Sequence, residues 1–104
     1  VLSDDESEID LTLYVSEPEA GSCVVELRGD LDLAGSVALE AALAQLPSAS
    51  NLVLDLSGIE FIDSSGIRSL MVARTNRSTR LVEPSRAVRH TFEVANVLHL
   101  LEAG

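Results

Sequence analysis

The chemistry of this chain concentrates between Leu52 and Leu70, where an apolar run is followed by Asp63-Ser64-Ser65-Gly66. An acid, two hydroxyls and a glycine at the start of a helical pattern can serve in two ways. Ser64 or Ser65 can cap the helix, with Asp63 helping, since Ser and Asp are the commonest N-caps. Alternatively, a hydroxyl there can accept a phosphoryl group. The first turn of a helix leaves backbone N–H groups unpaired, the aligned peptide dipoles add partial positive charge, and both favour a phosphate. Gly66 lets the backbone turn tightly and leaves room for another molecule to approach. The residues alone leave both readings open.

Other chemistries lack their residues. His90 and His99 stand apart from each other and from any acid or cysteine pair at ligand spacing, so no metal site is expected. A Ser64–His90–Asp triad has no Gly-x-Ser-x-Gly elbow to build on, and no Gly-x-x-x-x-Gly-Lys loop is present for a nucleotide. The expectation is a binding protein, with no catalytic residues and no cofactor. Cys23 is the only cysteine, so no internal disulfide can form; it reads as a buried strand residue, with intermolecular oxidation as the alternative. A net charge of −10 argues against a nucleic-acid partner, because phosphate backbones demand a basic face. The charge is uneven. Residues 1–63 carry 14 acids and a single Arg, whereas residues 64–104 carry three acids and six Arg. This is either an ordinary charged surface or a polar molecule that steers a partner to one end. No apolar run approaches the ~20 residues of a membrane span, and the acidic start does not resemble a signal peptide. A cytoplasmic location without membrane insertion is expected.

The elements that must position Ser64 follow from periodicity. Residues 1–10 read as a solvated acidic arm, and residues 11–104 as a single domain. Leu11, Leu13 and Val15 alternate with polar neighbours as in a half-buried strand, Glu17 to Gly21 reads as a turn, and Val24 to Leu27 as a second strand stopping at Gly29. Gly29-Asp30-Leu31-Asp32 is expected as a loop. A helix is expected from Ala34 to Leu46, with Leu39, Leu43 and Leu46 as its buried stripe and Pro47 ending it. Leu52 to Leu56 is nearly continuous in apolar residues, which predicts a central strand covered on both faces, and Phe61-Ile62 adds a short apolar step. A second helix starts at the serines, with Ile67, Leu70 and Met71 inward and Thr75 to Ser78 reading as a loop. Leu81-Val82 forms a last strand. Ser85 caps a third helix, with Val88, Phe92 and Ala95 inward, and Val97 to Leu101 packs as a terminal turn. The order β-β-α-β-α-β-α predicts an α/β sandwich: a mixed sheet of four to five strands packed with three to four helices.

Phe61-Ile62-Asp63-Ser64-Ser65-Gly66-Ile67, preceded by Leu54-Asp55-Leu56-Ser57, resembles the signature of STAS domains, and more narrowly of the anti-sigma factor antagonists. Leu27-Arg28-Gly29-Asp30-Leu31-Asp32 is similar to that family's Gly-acid-Leu-Asp segment. Leu81 to Ser85 with Val88 and Phe92 is similar to its last strand and helix, so the resemblance spans Leu11 to Leu101. It implies a protein that, when dephosphorylated, binds an anti-sigma factor of the serine-kinase type and so frees a sigma factor. Phosphorylation of the first serine after the aspartate, here Ser64, blocks binding, and a phosphatase restores it. The implied partner surface comprises Asp30, Asp32, Asp63, Ser64, Ser65, Gly66 and Ile67. The alternative is a STAS subunit of a membrane lipid-transport complex; those relatives carry Thr where Ser64 stands, which favours the first reading. Two departures stand out. The segment from Gly66 to Leu81 is several residues shorter than the family pattern, which predicts a curtailed second helix or a missing loop. Ala95-Asn96-Val97 replaces the Gly-Leu pair common after the third helix.

Overall fold

The computed structural model describes residues 9–47 and 51–102; most of the acidic arm expected at residues 1–10 lies outside them. The chain folds in the order β1 (Leu11–Glu19), β2 (Ser22–Leu31), α1 (Leu33–Ala44), β3 (Asn51–Ile62), α2 (Ser64–Asn76), β4 (Thr79–Val82), α3 (Arg86–Val94) and α4 (His99–Glu102). The four strands form one mixed sheet in the order β1-β2-β3-β4. β1 and β2 form an antiparallel hairpin, whereas β2–β3 and β3–β4 pair in parallel.

Register sets the core. Cys23 pairs with Leu52, Val25 with Leu54, and Leu54 with Leu81, so their side chains share one sheet face. All of them are at most 4% exposed. Leu39 and Leu43 of α1, Ile67, Leu70 and Ala73 of α2, Val88 and Phe92 of α3, and Leu101 of α4 join them in one cluster. The helices therefore cover one face, and the architecture is two layers. The expectation that Leu52 to Leu56 is covered on both faces is corrected: Leu52, Leu54 and Leu56 are buried, while Val53 and Asp55 are half-buried on the other side.

Four further expectations change. β1 runs on through Glu17-Pro18-Glu19, leaving Ala20-Gly21 as the turn, with Gly21 at φ 82°. Gly29-Asp30-Leu31 belongs to β2 rather than to a loop, and Leu31 is fully buried. Phe61-Ile62 is the end of a 12-residue β3 rather than a separate step. α2 is not curtailed: it is a 13-residue helix through Asn76, with only Arg77-Ser78 before β4. The brevity of this segment lies in the connection. The Thr79 hydroxyl closes it by donating to the Ala73 carbonyl at 3.0 Å. Arg77 reaches across to the last turn of α1, donating to the Leu43 carbonyl at 3.2 Å.

At the end of α3, Ala95 is exposed rather than inward. Asn96 adopts φ 63°, the Val97 N–H bonds the Phe92 carbonyl, and the Asn96 N–H bonds the Glu93 carbonyl. This is a Schellman closure, and Asn is the residue after Gly that best tolerates its left-handed position. The Asn96 departure thus preserves the local geometry.

Candidate functional site

Two helices begin side by side at the end of β2, each with an aspartate cap and a glycine three residues on. Asp32 caps α1 by accepting the Gly35 N–H at 2.8 Å. Asp63 caps α2 by accepting the N–H groups of Ser65 at 2.9 Å and Gly66 at 3.2 Å with one oxygen, Oδ1. The cap of α2 is therefore Asp63, not a serine. Ser64 is the first helical residue; it is exposed, and no hydrogen bond of its hydroxyl occurs among the described residues. Ser65 is half-buried.

The glycines act through closeness. A Cβ on Gly66 would overlap the Leu31 carbonyl oxygen and lie 2.7 Å from Ile62 Cγ1. A Cβ on Gly35 would overlap the Asp30 carbonyl oxygen. Each helix start therefore presses on the backbone of β2. The space at Gly66, which the sequence suggested for another molecule, is taken by the chain itself. Ile67 is likewise a core residue, 9% exposed.

Asp30 and Asp32 lie at the same end of the sheet, both half-buried. Partial removal from water, then the carboxylates of Asp10, Asp32 and Glu60, and a hydrogen bond with Asp10, hold Asp30 above the usual carboxylate range. Asp32 also supports the fold through its cap. The sequence thus brings Asp30, Asp32, Asp63, Ser64 and Ser65 to one edge, with Gly66 and Ile67 packed beneath them.

Sequence reasoning missed the apolar surface beside these residues. Met71, expected inward, is 43% exposed, and Val72 is 37% exposed. With Ser64, Ile67, Arg68 and Thr75 they line an open groove of about 510 Å³ along α2. A second groove of about 380 Å³ runs between α1 and α2, lined by Leu33, Ser36, Val37, Glu40, Ser65 and Arg68 among others. Leu33 and Val37 are 66% and 62% exposed. The Ser36 hydroxyl is buried there without a hydrogen-bond partner among the described residues. Leu33 and Val37 fall four apart on α1, about a third of a turn round the helix from Leu39 and Leu43, a spacing that could have signalled a second apolar stripe.

The family model described as Mlab, STAS domain matches residues 16–102. The chain belongs to the STAS domain family. No curated protein matches it by sequence. Among solved structures, this STAS domain is similar to the anti-sigma factor antagonist SpoIIAA in its unphosphorylated form, with a TM-score of 0.68 and 19% identity over 86% of this chain and 84% of that one. It is similar to an anti-sigma factor antagonist from Mycobacterium paratuberculosis, with a TM-score of 0.64 and 25% identity over 84% and 79% of the two chains. A third neighbour is the STAS domain of an antisigma-factor antagonist from Rhodobacter sphaeroides, with a TM-score of 0.55 and 18% identity over 76% and 96%. These likenesses agree with the mixed four-stranded sheet and four helices formed by the described residues. Among the described residues no helix is long and apolar enough to cross a membrane.

Proposed function

We propose that this STAS domain is an anti-sigma factor antagonist that binds a serine-kinase anti-sigma factor and is switched off by phosphorylation of Ser64. The observation that carries the reading is the Ser64 hydroxyl. It is exposed, it has no intramolecular partner among the described residues, and it stands at the mouth of an apolar groove. The anti-sigma factor antagonists among its structural neighbours support the same partner class. The arrangement suits binding rather than catalysis. Leu33, Val37, Met71 and Val72 offer an apolar contact surface of the kind that protein interfaces bury.

Phosphorylation adds about −1.5 to −2 charge near neutral pH. In the complex that charge would be held against Asp63 and the acidic edge of Asp30 and Asp32. A phosphatase would reverse it, and a cytoplasmic setting follows from such partners. The test is affinity capture from cell extract with the unmodified and phosphorylated proteins, followed by mass spectrometry and mapping of the modified residue. Capture of a kinase-type anti-sigma factor by the unmodified form alone, with phosphate on Ser64, supports the reading. Phosphate only on Ser65, or co-purification with subunits of a membrane lipid transporter instead, overturns it.

A further inference from the structure

We propose that Arg68 is the internal partner of the phosphorylated Ser64 side chain, holding the phosphoryl group against the α2 groove. This rests on the reading of Ser64 as the phosphoacceptor and adds the residue that positions the modified group. Three observations lead to it. Asp63 Oδ1 already occupies the N–H groups of Ser65 and Gly66, so the helix start offers a phosphate few free donors. The remaining neighbours at this edge are acidic: Asp63 on the cap, and Asp30 and Asp32 at the end of β2. Arg68 follows Ser64 by four residues on α2, is exposed, and is the one cation lining the Ser64 groove among the described residues.

Residues four apart on a helix have Cβ atoms about 5–6 Å apart, within easy reach of an extended guanidinium. A planar guanidinium binds phosphate oxygens in pairs, which a single ammonium cannot do. Arg68 also lines the α1–α2 groove, whose opposite wall carries Glu40. Phosphorylation therefore turns Arg68 from a groove shared with Glu40 toward Ser64, and removes from the docking surface a cation that the unmodified form presents.

The experiment installs phosphoserine at position 64 during translation, so that no kinase is needed. The phosphate is titrated by ³¹P NMR in the otherwise native chain and in Arg68→Gln and Arg68→Lys variants. A guanidinium partner favours the dianion, so Arg68→Gln should raise the second phosphate pKa by about half a unit. Arg68→Lys should recover part of that shift. The Arg68 side-chain Nε–H resonance should move on phosphorylation, and the unphosphorylated variants should melt like the native chain because Arg68 is exposed. Superimposable phosphate titrations in all three proteins, with an unmoved Nε–H resonance, overturn the proposal. Failure of cells to phosphorylate Ser64 would instead remove the proposed switch and leave this measurement intact.

Discussion

Gly66→Ala separates what local propensity says from what packing says, because the two have opposite signs. Gly66 has a helical conformation at the third position of α2. Replacing a helical Gly by Ala ordinarily stabilises by about 0.5–1 kcal/mol, through backbone entropy and propensity. Here the new methyl would overlap the Leu31 carbonyl oxygen and stand 2.7 Å from Ile62 Cγ1. The Ile62 side chain can rotate aside, but the Leu31 carbonyl belongs to the last residue of β2 and is held by the sheet. Relieving the contact requires the start of α2 to lift away from β2. Forced overpacking of this kind costs about 1–3 kcal/mol and more where backbone must move. Because backbone must move here, the cost lies toward the top of that range, about 2–3 kcal/mol, and subtracting the propensity gain leaves a net loss of about 1–2.5 kcal/mol. At about 4–8 °C per kcal/mol for a domain near this size, the melting temperature should fall by roughly 5–20 °C. Urea and thermal unfolding followed by circular dichroism measure it directly. A variant as stable as the native chain, or more stable, would refute the claim that Gly66 exists to seat α2 on β2.

Removing the α2 cap with Asp63→Ala should cost about 1 kcal/mol, whereas Asp63→Asn, which keeps an acceptor oxygen, should cost only a few tenths; equal losses in urea melts would show that charge, not capping, matters. Asp30→Asn should raise the melting temperature at neutral pH. The folded pKa of Asp30 lies above its unfolded value, so its ionised form destabilises the fold, and that penalty fades as pH falls through the folded pKa. The gain of the variant should therefore shrink on acidification, and a gain that grows at low pH would contradict the sign. Ser64→Glu should weaken binding to the proposed anti-sigma partner by roughly a hundredfold, the effect of about 3 kcal/mol. It should do so without spreading NMR shifts through the sheet, while Ser64→Ala keeps full affinity; unchanged affinity in Ser64→Glu would refute the electrostatic argument.

The order of elements, the identity of the core leucines and the position of Ser64 at a helix start were legible in the chain, because each depends on local periodicity or on a short run of capping residues. Leu39 with Leu43 declares its buried face by spacing alone, whereas the near-continuous run from Leu52 to Leu56 left open that only Leu52, Leu54 and Leu56 would be covered. What local pattern could not decide was which competing local rule the fold would follow. Gly29-Asp30-Leu31 has a loop composition, yet strand pairing with β1 and β3 claims it, with Gly29 accepting φ 109° against the Asp10 carbonyl. Thr75-Asn76 also reads as a loop, but α2 keeps them because Thr79 and Arg77 anchor its end. The sequence offered Ser64 or Ser65 as the cap with Asp63 only helping; three-dimensional placement gave the cap to Asp63 instead and left the Ser64 hydroxyl open to solvent. The groove formed by Met71, Val72 and Arg68 needed tertiary structure altogether. A single helix shows which residues share a face, but only the packing of α1 and α2 on the sheet decides which apolar residues are covered and which are left exposed beside Ser64.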